Sequence, residues 1–139
     1  MKPQIDIAET LQPDDAEAEV LAALMRPMLK KRLFVVLSVV GKYPELIRRH
    51  LVEHLHYVIE LEKADVLFAS GPFSAGEDGR LGDGLTILRA ENVEAARAIA
   101  EQDPFVRHGV RTFTIREWTV NEGSVSMKVH LSDQSVSLA

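Results

Sequence analysis

At 139 residues the chain has room for one domain of ordinary size and is too short for two. Its 46% hydrophobic and 27% charged residues describe a globular protein, and a net charge of -5, with no basic cluster denser than Lys30-Lys31-Arg32, argues against a nucleic-acid partner. Without cysteine there is no disulfide or thiolate chemistry, no apolar stretch approaches the roughly 18 residues of a membrane span, and Asp6, Glu9, Asp14, Asp15, Glu17 and Glu19 do not suit a signal peptide, so the expected location is the cytoplasm.

Residues 1–31 read as an N-terminal extension. Pro3 and Pro13 without periodicity suggest a mobile arm over 1–13, and the acids that open DDAEAEVLAALM suit the first turn of a helix that Pro27 limits. Residues 32–120 are the expected folded domain. Leu33 to Val40 is apolar on both parities, as in a strand covered on both faces. A helix from Pro44 to Ala64 follows, with Ile47, Leu51, His54, Val58 and Leu61 on one stripe and Arg49, Glu53, His56, Glu60 and Lys63 on the solvated one. Then come a strand at 66–70, a Gly71-Pro72 break, a glycine-rich connector or lid at 74–84, a strand at 85–90, a helix from Val93 to Asp103 capped by Asn92, and a strand at 110–118. Residues 121–139 form a C-terminal extension, with alternation at 125–132 and a turn at Asp133-Gln134 that predict an added strand or hairpin.

The order strand, helix, strand, strand, helix, strand is that of a ferredoxin-like α+β fold with an antiparallel sheet and both helices on one face. Because the other face is also apolar, a second copy of the chain is expected to cover it, as a homodimer or a higher oligomer of dimers.

His54 interrupts an apolar stripe, and Asp103 continues the inward face of the second helix. An aspartate in a last helical turn meets carbonyls that already carry partial negative charge, so it calls for a cationic or hydrogen-bonding partner, and His54 is the obvious one. An imidazole titrates near neutral pH and a neighbouring carboxylate fixes its tautomer, so the pair suits proton removal from a phenol or acidic carbon. The alternative is a non-catalytic binding or regulatory module in which the pair only ties two helices together. Ser70 and Phe73, flanking Gly71 and Pro72, are positioned to line a pocket, and Arg48 and Arg49 to attract an anion. His50 and His54 are four apart, but HLVEH is not HExxH and no third ligand is spaced to join them, so no metal is expected. The direction of His108 is not set by the sequence.

The segments HLHYVIELEKADVLFASGPF (54–73) and AEQDPFVRHGV (100–110), separated by the glycine-rich loop, resemble the YCII-related (YciI-like) family from about Leu33 to Trp118. The resemblance implies a ferredoxin-like unit that dimerises into a dimeric α+β barrel, with a histidine and an aspartate as the active-site pair at the positions of His54 and Asp103. It also implies lyase or isomerase chemistry on a small cyclic or aromatic substrate with no organic cofactor. One branch of the family includes a dehydrochlorinase of a chlorinated hydroxyhydroquinone, and the wider superfamily includes muconolactone isomerase. In that setting Ser70, Gly71, Pro72 and Phe73 become the candidate substrate-binding residues. Where the family often has glycine after the first helix, this chain reads Lys63-Ala64-Asp65.

Overall fold

A computed structural model describes residues 14–138. The arm expected over residues 1–13 lies outside them. The described residues divide into two compact units, Lys31–Thr119 and the two flanking segments, 14–30 and 120–138.

The Lys31–Thr119 unit carries β1 (Lys31–Val40), α2 (Leu46–Lys63), β2 (Leu67–Pro72), β3 (Gly84–Leu88), α3 (Val93–Ala100), the single-turn α4 (Pro104–Arg107) and β4 (Arg111–Val120). The four strands form one sheet in the order β2-β3-β1-β4, antiparallel where β3 pairs with β1 and β2. This is the expected mixed α+β arrangement. Phe34 and Val36 of β1 and Leu88 of β3 point to the helical side, where Ala96 and Ala100 of α3 complete the buried cluster with Leu61 of α2 packed against it. A bidentate Arg32–Glu117 pair at 2.6 and 3.1 Å joins β1 to β4 at the exposed rim.

The other parity of β1 tells the opposite story. Leu37 and Val39 are 39% and 50% exposed, and with Val35, Leu85, Ile87 and Trp118 they leave an apolar sheet face turned away from the helices.

Local chemistry sets the helix ends. Of the stripe expected on α2, Val58 is buried and Ile47, His54 and Leu61 are half-buried, whereas Leu51 is exposed, and Arg49, Glu53, His56, Glu60 and Lys63 are all exposed as expected. The helix stops where Asp65 takes a left-handed conformation (φ 59) and the Val66 amide donates back to Leu61 O at 2.9 Å. A short polar residue thus fills the position glycine usually takes in such a stop. Asn92 caps α3, its side-chain oxygen accepting from the Ala95 amide at 2.8 Å.

One boundary differs from expectation in a way that matters. The helix expected to run to Asp103 ends at Ala100, and Asp103 is instead the N-cap of α4, with φ -56 and ψ 125 and Pro104 at the first helical position. Proline forces its predecessor out of the helical region, and its own missing N–H costs nothing at a helix start. The carboxylate therefore meets the donor end of a helix, the reverse of the environment read from the sequence.

The flanking unit consists of α1 (Asp15–Met25), capped by Asp14, and a hairpin of β5 (Met127–Val129) and β6 (Val136–Leu138). Gln134 turns the hairpin with φ 59, and the strand side chains are exposed. Among the described residues no helix is long and apolar enough to cross a membrane.

Candidate active site

His54 reaches the site from the middle of α2 and Asp103 from the α3–α4 junction. His54 Nδ1 lies 2.8 Å from Asp103 Oδ1, with both side chains largely shielded from water. The same Oδ1 accepts the Phe105 amide at 2.9 Å, so one carboxylate oxygen both caps α4 and holds the imidazole. Phe105, buried to 1% exposure, stacks against the His54 ring with centroids 4.2 Å apart and planes 18° from parallel. Edge and face of the imidazole are thereby fixed. The other ring nitrogen, Nε2, has no protein hydrogen-bond partner among the described residues, on a side chain that lines a cavity of about 450 Å³.

Ile47, Leu51, Leu55 and Val58 of α2 give that cavity an apolar wall. Ser70, Gly71, Pro72 and Phe73, at the end of β2, all line it as well. Neither Arg48 nor Arg49 does; both are exposed.

The cation at this cavity is Arg111, a residue the sequence reading did not single out. It is 8% exposed, its Nε donates to Gly82 O at 2.6 Å, and its guanidinium lies over the Phe105 ring at 4.6 Å. Nη1 and Nη2 have no hydrogen-bond partner among the described residues, yet neither is a sealed, unsatisfied group. Burial lowers the Arg111 pKa, and the charges of Asp103 and Asp83 oppose that shift. A guanidinium stays charged even so. The structure therefore sets a cation with spare donors in the same apolar cavity as the histidine. No sequence signal marks it, since a lone arginine opening a strand is commonplace; only the loop that delivers Gly82 O reveals it.

That loop is tied down at its second half. Asp83 Oδ1 accepts the Val40 amide at 2.8 Å, and Arg80 Nη2 donates to Val40 O and Gly41 O at 2.8 and 3.0 Å. Gly82 sits at φ 121, where a Cβ would come within 2.9 Å of Val40. Glycine is required there by backbone and by space.

Tyr57, one turn after His54, donates its hydroxyl to Ile99 O at 2.5 Å and so ties α2 to α3. Burial, and then the Asp103 charge, push its pKa upward, which keeps the phenol neutral. His108 is the C-cap of α4; its Nε2 lies 3.2 Å from Glu53 Oε2 and its ring stacks on His50. His56 and His130 are exposed.

Comparison with known proteins bears on this arrangement. A YCII-related domain matches residues 33–119. Among solved structures the chain is similar to 5-chloro-2-hydroxyhydroquinone dehydrochlorinase (TftG) from Burkholderia phenoliruptrix in complex with 2,5-dihydroxybenzoquinone. The two share 20% sequence identity with a TM-score of 0.54, over 62% of this chain and 92% of that one. A likeness at that identity shows the fold. No curated protein matches the chain.

Proposed function

Since the chain belongs to the YCII-related family, we propose that it is a small-molecule enzyme of the lyase or isomerase type, in which His54 moves a proton and Asp103 orients it. The observation that carries this reading is the division of labour on one imidazole that lines an apolar cavity: Nδ1 is occupied by a carboxylate, while Nε2 has no hydrogen-bond partner among the described residues. A carboxylate on Nδ1 favours the tautomer whose Nε2 lone pair can accept a proton, and it stabilises the imidazolium that results.

The substrate class follows from the lining. An apolar wall takes a ring, and the buried Arg111 guanidinium takes an anionic oxygen on it, a phenolate or a carboxylate. Ser70, Gly71, Pro72 and Phe73 form the rim against which the ring packs. In a dehydrochlorination His54 would accept a proton from the substrate as the C–Cl electron pair leaves with chloride, a net loss of HCl that needs no oxidant. In an isomerisation the same proton returns at a second carbon. No cofactor enters either route.

We further propose that the outward sheet face is covered by a second copy, giving a cytoplasmic homodimer. A rival reading, a binding or regulatory module, draws on one observation: capping of α4 already accounts for Asp103 without catalysis.

Chloride release and ring-product absorbance, measured on 5-chloro-2-hydroxyhydroquinone and on a panel of chlorinated quinols and lactones, separate the two. We expect turnover that falls by about 10²–10⁴-fold in His54→Gln, the usual worth of a positioned proton acceptor. A parent protein that turns over no member of the panel leaves the module reading.

A further inference from the structure

One face of α2 carries a second set of ligating groups that the His54 site does not use. His50 and Glu53 are three residues apart, which places them on one helical face, and α4 brings His108 over them. His50 Nδ1 and His108 Nε2 lie 3.8 and 3.2 Å from the same oxygen, Glu53 Oε2, and the three ligand atoms are all within 4.8 Å of one another. Among the described residues no other trio of histidine and acidic groups comes so close. We propose that His50, Glu53 and His108 bind a borderline divalent transition-metal ion of the Zn²⁺ class, which clasps α4 to α2.

Two imidazoles and one carboxylate are a donor set that suits Zn²⁺, Co²⁺ or Ni²⁺ and does not suit Mg²⁺ or Ca²⁺, which prefer oxygen alone. Bonds of about 2.0–2.1 Å in a tetrahedron put neighbouring donors about 3.3 Å apart. The His108–Glu53 separation already matches that figure, and the His50–Glu53 separation exceeds it by about half an ångström. One adjustment is required. The two rings are stacked, 3.9 Å between centroids and 16° from parallel, so their in-plane lone pairs do not converge. The side chains that must turn are the free ones: His108 is 43% and Glu53 54% exposed, whereas His50 at 17% supplies the anchored ligand. A fourth position is left for water. Because His50 precedes His54 by one turn and His108 closes the helix that Asp103 opens, an ion here would fasten together the two elements that carry the pair. The proposal does not depend on that pair being catalytic.

The test uses the full chain without a polyhistidine tag, stripped with chelator and titrated with ZnCl₂ by calorimetry and with CoCl₂ by visible absorption. We expect one equivalent bound with micromolar affinity, intense four- or five-coordinate Co²⁺ bands, and a melting temperature raised by Zn²⁺. His108→Ala and Glu53→Gln, both at exposed side chains, should weaken binding by more than the about 10–100-fold that loss of an outer-shell partner costs, and His56→Ala should leave it unchanged. Absence of saturable binding below about 1 mM, or equal affinity in a correctly folded His50→Ala/His108→Ala chain, overturns the proposal. Turnover is not among the readouts, so failure of the enzyme reading would leave this result intact.

Discussion

Replacing Asp103 by alanine removes two bonds made by one oxygen. The cap on the Phe105 amide is worth about 1 kcal/mol. The shielded bond to His54, with a charged acceptor, is worth about 1.5–3 kcal/mol. Together they come to about 3 kcal/mol, and in a unit the size of Lys31–Thr119 that lowers the melting temperature by about 12–24 °C. Asp103→Asn keeps an oxygen of the same shape for the cap and forfeits only the charge, so its cost should be about half as large. Urea unfolding of the parent, Asp103→Ala, His54→Ala and the double variant closes a thermodynamic cycle. Its coupling energy should fall in the range of about 1–3 kcal/mol that contacting residues show. Coupling indistinguishable from zero, or an alanine variant as stable as the asparagine one, would refute the claim that a single oxygen serves both helix and histidine.

Gly82→Ala should cost more than about 2 kcal/mol, because a left-handed backbone and a contact of 2.9 Å with Val40 act together; an unchanged urea midpoint would contradict it. Arg111→Met should raise KM for an anionic ring substrate by about 10–100-fold, the worth of a charge-assisted hydrogen bond, and leave an uncharged analogue unaffected. Leu37→Lys places a charge on the outward sheet face, so under the proposed homodimer the parent should show the mass of two chains by light scattering and the variant that of one, with the circular dichroism spectrum intact.

Much of the fold was legible because it rests on periodicity. The steps of four and three through Ile47, Leu51, His54, Val58 and Leu61 locate the inward face of α2, and two-sided apolarity locates β1. What failed was punctuation. In sequence Asp103-Pro104 reads as the end of one helix, although the same pair is equally a cap and first residue of another, and only three-dimensional closure of the next turn decides between them. This ambiguity hides α4, and with it the position of His108, because a one-turn helix has no period to detect. Arg111 escaped for a different reason. Its importance comes from burial beside Gly82, far from it in the chain, and over the Phe105 ring, and burial of a single charged side chain leaves no trace in composition or spacing.

The double duty of Asp103 Oδ1 has a bearing on how related chains should be judged. A relative that lost all chemistry would still be under pressure to retain an aspartate there, simply to begin its one-turn helix. Retention of the acid is therefore a poor diagnostic of activity. Under the proposed proton-transfer role, the informative position is that of the histidine, which no backbone group needs, and whose replacement by an apolar residue would signal a protein that keeps the architecture for some other purpose.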